Sequence, residues 1–231
     1  MATLIVPLCG ENNSIVFKYN DYDTRTMNCI NACCDLVSKV DRVVFVMLRY
    51  VADKQYLKDN IELQLRMHGI PQVTIRDKVS FVLLDHQTQS MAETVYEGIK
   101  RTNIPEDERI IVKDGDNESV VDYASLTGTD NYVAVESLET LSIVDPSHKS
   151  YVMTDNQGMI VNAIERRVIS DKFIAGIYSF STAKMYSSTY EALLKNGNST
   201  FYISDMIYYT IINRNAIWMP VKVEKFVDYN I

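Results

Sequence analysis

No apolar run in this 231-residue chain approaches the ~18 residues that a membrane-spanning helix needs, and its start, Met1–Cys9, has neither a basic segment nor a cleavage site. The expectation is a cytoplasmic protein with no membrane span. Clusters of Lys and Arg are missing too: 23 basic residues face 30 acidic ones, a formal charge of −7. Neutralising the phosphates of a duplex takes a basic stripe, so nucleic acid is not an expected partner. Small anionic ligands stay compatible, because a pocket need not share the sign of the net charge. The three histidines, His68, His86 and His148, are scattered and build neither a metal cluster nor a nucleophile–base pair. Four cysteines, Cys9, Cys29, Cys33 and Cys34, fall in the first 34 residues without a C-x-x-C pair and read as reduced thiols. Ser125 and Ser187-Ser188-Thr189 have no acid–base set at a recognisable spacing, which rejects a hydrolase triad.

What the chain does have is 47% hydrophobic residues, enough for a large core, arranged in alternating short and long apolar segments. Thr3–Leu8, Arg42–Leu48, Val79–Leu84 and Arg109–Val112 are continuous β-branched runs of the kind found in strands buried on both faces. Between them, Thr26–Val40, Ala52–Met67 and Met91–Lys100 carry apolar residues at helical spacing. Repeated strand–helix–strand units specify a mostly parallel sheet with helices on both faces, and ligands in such sheets bind at the carboxyl ends of the strands. From residue 131 onwards the strands are shorter: Tyr132–Glu136, Lys149–Thr154, Met159–Arg166 and Phe173–Phe180. Helices over Thr182–Leu194 and Ile203–Asn213 follow, then a final strand pair, Ala216–Lys222 and Glu224–Asp228. The fold class is α/β, a Rossmann-like mixed sheet, in a single domain over residues 1–231.

The densest chemical feature is Lys113-Asp114-Gly115-Asp116-Asn117, directly after the apolar run Ile110-Ile111-Val112. Two acids one residue apart at a parallel strand's end, with a Gly that permits a tight turn, can present a carboxylate to a hard cation. Magnesium takes only one or two protein carboxylates and fills its shell with water and phosphate, so a distant second acid would complete such a site. A strand-ending Asx turn explains the same residues without any metal.

Taken in order along the chain, these residues resemble the sugar-phosphate nucleotidyltransferase family. Leu4-Ile5-Val6-Pro7-Leu8-Cys9-Gly10 opens the chain, Ile111–Asn117 stands in the middle and Phe226-Val227-Asp228 closes it. Asp85–Thr94 resembles the family's Gln-x-Gly-x-Ala segment, and Asn162-Ala163-Ile164-Glu165-Arg166 resembles its Glu-Lys strand. Ala175–Phe180 is similar to its Gly-x-Tyr-x-Phe strand, and Phe201–Asp205 to its aromatic-x-Ser/Thr-Asp helix start. The resemblance covers essentially the whole chain, although each motif alone is weak.

It implies the nucleotide-diphospho-sugar transferase fold, with a nucleotide-binding half over residues 1–125 and an acceptor-binding half over 126–231. The implied reaction moves a nucleotidyl group from a nucleoside triphosphate to a sugar 1-phosphate or similar phosphorylated alcohol, with Mg2+. By motif position Asp116 and Asp228 would hold the metal, with Asp114 nearby. Pro7, Leu8, Gly10, Gln89 and Ser90 would border the nucleotide, while Glu165, Gly176 and Tyr178 would line the acceptor site. Arg166 would hold the acceptor phosphate. The loop after the first strand departs from the family's Gly-x-Gly-x-Arg and Pro-Lys pattern: Gly10–Tyr19 keeps one Gly, places Glu11 beside it and has no Pro-Lys. Lys18, or else Arg25, is the candidate replacement cation. Two alternatives stay open. One is a GT-A-type glycosyltransferase in which Asp114-Gly115-Asp116 acts as an Asp-x-Asp motif on a nucleotide sugar. The other is a nucleotide- or sugar-phosphate-binding module without turnover, within a homo-oligomer or a longer polypeptide.

Overall fold

The computed structural model describes residues 1–9, 22–54, 56–140, 145–197 and 200–229. Gly10 and Lys18 lie outside the described residues, as does the side chain of Arg25. Four strands, β1 (Ala2–Leu8), β2 (Arg42–Leu48), β3 (Val79–Leu84) and β4 (Arg109–Lys113), form a parallel block in the order β4-β1-β2-β3. All seven residues of β1 and all five of β4 are buried, as continuous apolar runs require. Pro7 is tolerated in the middle of this sheet because the β1–β4 pairing ends at Ile5 opposite Val112, so no ladder bond on that side needs its missing N–H.

The helices α1 (Tyr22–Val37) and α5 (Met91–Thr102) pack on this block. The single helix expected over Ala52–Met67 is in fact two, α2 (Arg49–Lys54) and α3 (Leu57–Met67), separated at Tyr56 with φ 49°. The reason is phase. Buried Ala52 and Leu57 are five residues apart, a step that leaves one helical face, whereas Leu57, Ile61 and Leu65 restart it at four-residue spacing. A further helix, α4 (Gln72–Lys78), begins directly after Pro71 and buries one residue, Ile75, which is too little for a periodic pattern.

The second half extends the same sheet. Strands β5 (Asn117–Val120), β6 (Asn131–Ser137), β7 (Ser150–Thr154), β8 (Ile160–Glu165) and β9 (Lys172–Phe180) follow. β9 lies antiparallel between β4 and β6. β7 and β8 form an antiparallel pair that joins the sheet through Tyr151 opposite Phe173. Helices α6 (Ala183–Lys195) and α7 (Ile203–Arg214) precede β10 (Trp218–Lys222) and β11 (Lys225–Asp228). The last two strands do not pair with each other as the sequence suggested. β10 runs parallel to β6 at the sheet edge, anchored by the fully buried Trp218, whose indole N–H donates to Thr210 Oγ1 at 2.9 Å. β11 instead joins β5 in a separate antiparallel ribbon, with Asp228 opposite Asn117. No helix among the described residues is long and apolar enough to cross a membrane.

Candidate active site at the end of strand β4

The carboxyl end of β4 passes straight into the acidic turn. Lys113, the last residue of β4, is fully buried. Its Nζ donates to the carbonyls of Asp114 (2.9 Å) and Asn117 (2.8 Å) and to Asn117 Oδ1 (2.8 Å). Burial lowers its pKa, yet three acceptors require three N–H groups, which only the ammonium form supplies. Asn117 is the hub of the turn. Its Oδ1 also accepts from Ser119 Oγ at 2.7 Å, and its Nδ2 donates to Asp116 Oδ1 at 3.1 Å.

Two glycines make room. Gly176 on β9 has φ +76°, and a Cβ there would overlap the Asn117 carboxamide; its carbonyl accepts from Asp114 N at 2.9 Å. Gly115 keeps a backbone outside the left-handed region. Its smallness matters instead because a Cβ would come within 3.1 Å of Leu8 Cδ2, so the acidic turn packs against the end of β1. The predicted nucleotide-side residue Leu8 and the acidic turn are thus in contact. The segment after β3 closes in as well, with Thr88 N and Oγ1 both donating to the Cys9 carbonyl.

Asp114 is half-buried, and its Oδ1, which is buried, has no hydrogen-bond partner. Burial, together with the nearby Asp116 carboxylate, pushes its pKa up to about 8. Asp228 arrives on β11: it is opposite Asn117, Tyr229 N donates to the Asp116 carbonyl at 3.0 Å, and Asp228 itself forms an ion pair with Lys149. Asp116 and Asp228, 112 positions apart in sequence, are therefore brought to one ribbon. Among the described residues no group of three His, Cys, Asp or Glu side chains could hold a metal alone. The donor set fits a cation that uses two carboxylates and completes its shell with water and phosphate oxygens, and the orphaned Asp114 oxygen beside it marks a place still short of a partner.

Glu165 ends β8 and accepts from Ser150 Oγ and from Ser204 Oγ (3.1 Å), while burial raises its pKa. Tyr178 on β9 is buried, and its phenol is pushed far up by burial and by the charges of Asp114, Glu165 and Asp116, which places it among those acids. Arg166 has φ 53°, lies 5.7 Å from the Tyr202 ring centroid and reaches Glu165 at 3.9 Å. Ser90 caps α5, accepting from Glu93 N at 3.2 Å, and Gln89 N donates to Glu93 Oε2 at 2.7 Å. Gln89 Oε1 also faces Thr200 Oγ1 at 3.5 Å. Asp205, the third residue of α7, accepts from Tyr202 N at 2.8 Å.

Sequence reasoning missed Lys113, Lys149, Ser150 and Ser204. Only Lys113 carried a signal: a lysine directly after the apolar run Ile110-Ile111-Val112, in a strand buried throughout, must find acceptors inside the protein.

No protein-family model matches this sequence, and no curated protein matches it either. Solved structures do. A nucleoside-diphosphate-sugar pyrophosphorylase from Vibrio cholerae RC9 superposes with a TM-score of 0.71 at 15% identity, covering 99% of this chain and 96% of that one. The chain has the nucleotidyltransferase fold. Two other enzymes of this fold are similar over nearly the whole chain. The inositol-1-phosphate CTP transferase from T. maritima gives a TM-score of 0.63 at 11% identity, over 98% of this chain and 88% of its own. A UDP-glucose pyrophosphorylase complexed with UDP-glucose gives 0.66 at 15%, over 99% and 93%.

Proposed function

We propose that this protein is a divergent nucleotidyltransferase that moves a nucleotidyl group from a nucleoside triphosphate to a sugar 1-phosphate or similarly phosphorylated alcohol. One observation carries the reading: β11 sets Asp228 opposite Asn117, the residue after Asp116, at the carboxyl end of β4, the end where ligands bind in such sheets, in a chain that follows a nucleoside-diphosphate-sugar pyrophosphorylase over 99% of its length. In this reaction an acceptor phosphate oxygen attacks the α-phosphorus in line. The new O–P bond forms as the bond to the β-phosphate oxygen breaks, and the electron pair leaves with pyrophosphate.

Catalysis of this kind is positioning and charge neutralisation, with little covalent work. A magnesium ion bound by Asp116 and Asp228 would neutralise phosphate oxygens. Pro7, Leu8, Gln89 and Ser90 border the nucleotide in the 1–125 half. Glu165, fixed by two serine hydroxyls, accepts from hydroxyl groups of the acceptor, and the Arg166 guanidinium suits a bidentate grip on its phosphate. Gly176 and Tyr178 form the wall between the acidic turn and that subsite. The glycosyltransferase alternative asks both acids of Asp114-Gly115-Asp116 to face a metal.

The test is pyrophosphate release from a panel of nucleoside triphosphates with sugar 1-phosphates and Mg2+. Asp116→Ala is expected to lower the rate about 100-fold or more while circular dichroism stays unchanged. Turnover of an intact nucleotide sugar, with no pyrophosphate released from any triphosphate, would replace the reading with the glycosyltransferase.

A further inference from the structure

Lys149 precedes β7, and its carbonyl accepts from Arg166 N at 2.9 Å, which fixes its backbone beside the end of β8. Its side chain is only 11% exposed and its partner Asp228 only 5%. The ammonium touches Asp228 Oδ2 and sits 5.5 Å from the centroid of Phe226, a ring itself packed edge-on against Phe173 at 5.2 Å. Its charge also reaches Asp114, where it opposes the upward push of burial and Asp116. A fixed positive charge is thus embedded among the carboxylates that the reading above assigns to a divalent cation. A divalent ion that takes Asp228 as a ligand meets this ammonium on the same carboxylate and is repelled by it unless the lysine withdraws.

We propose that Lys149 is the resident cation of this site and competes with the divalent ion for Asp228. The inference rests on the assignment of Asp116 and Asp228 as metal ligands. Its consequence is an order of binding. A bare divalent ion must separate a nearly buried ion pair and leave an ammonium without its anion, a large cost in a poorly solvated place. A metal–triphosphate complex brings phosphate oxygens that can receive the displaced ammonium, so the free ion binds weakly and the ion enters together with the nucleotide. Lys suits this exchange better than Arg would, being a compact charge on a flexible stem. The exchange also supplies a mobile cation to a chain whose loop after β1 lacks the Arg and the Pro-Lys of the family pattern.

The experiment is a titration with Mn2+ alone, in the absence of nucleotide, followed by calorimetry and by electron paramagnetic resonance at pH 7. Lys149→Met is expected to bind Mn2+ at least tenfold more tightly than the wild-type chain, and its melting temperature, lowered by the stranded Asp228, is expected to rise with Mn2+. Lys149→Arg keeps the charge and should bind the ion as weakly as wild type. The double variant Lys149→Met/Asp228→Asn, which removes both charges, should lose the gained affinity. If the Met variant does not fold, Lys149→Gln carries the same expectation. A Lys149→Met or Lys149→Gln variant that folds and binds Mn2+ no more tightly than wild type overturns the proposal, and so does a gain that survives in the double variant. Failure of the enzymatic reading looks different: the Lys149 variant gains metal affinity, yet no triphosphate releases pyrophosphate.

Discussion

Two lysines flank the acidic turn, and they are held in opposite ways. Lys113 ends a central strand and spends all three N–H groups on two main-chain carbonyls and the Asn117 side chain. Lys149 stands at the rim of the β7–β8 pair and is held by one carboxylate and an aromatic ring. Saturation by neutral acceptors makes Lys113 a builder, since it has no donor left to offer a ligand. An ion pair with a candidate metal ligand makes Lys149 an exchangeable charge. The same residue type, on either side of one turn, thus serves architecture in one place and electrostatics in the other.

Substitutions can break or sharpen this contrast. The largest effect is expected on the builder's side. Gly176→Ala must accommodate a Cβ that overlaps Asn117 at a left-handed backbone, and should destabilise the chain by about 4 kcal/mol in chemical denaturation. Lys113→Met strands three acceptors and should cost about 3 kcal/mol; the lysine's charge also reaches Asp114 and Asp116, but it occupies no proposed metal ligand, so Mn2+ affinity should rise less than in Lys149→Met. The contrast fails if Lys113→Met raises metal affinity as Lys149→Met is expected to. Ser90→Ala removes the cap of α5 and should cost about 1 kcal/mol with no change in either lysine's behaviour.

The smallest effect concerns pH. Burial raises the Glu165 pKa, so the folded chain holds this proton to higher pH than the unfolded chain does. Its contribution to stability is therefore complete below the ordinary glutamate value and declines as pH rises through the raised one. Glu165→Gln should flatten that part of the stability–pH curve, and an unchanged slope would show that Glu165 does not titrate there.

The parallel block was legible because a strand buried on both faces writes itself as an unbroken β-branched run: Leu4–Val6, Val43–Val46 and Ile110–Val112 were found nearly to the residue. The acidic turn was legible because Asp, Gly and Asn gather where a strand must stop. β5 was not, since Asn117-Glu118-Ser119-Val120 has polar residues at three of four positions and owes its strand state to pairing with β11. The same cause misassigned the last two strands to each other, because adjacency in sequence says nothing of partners more than 80 residues away. Lys149 was invisible for a related reason: it is an ordinary polar residue before a strand until Asp228 is folded against it.

Glu118 is assigned no ligand, yet it helps to hold the strand that carries Asp228. It is clasped from β11 by Lys225 Nζ at 2.6 Å and by the Tyr229 hydroxyl at 3.0 Å, one from each end of that short strand. In a ribbon of four pairs these bonds add to the Phe226–Phe173 contact and the Lys149–Asp228 ion pair in fixing the alignment. A slip by one residue would set Val227 or Tyr229 opposite Asn117 and turn the carboxylate to the other side. The site's affinity for cations is thus encoded partly as alignment, and a substitution at Glu118 would act as a misprint in that alignment rather than as the loss of a ligand.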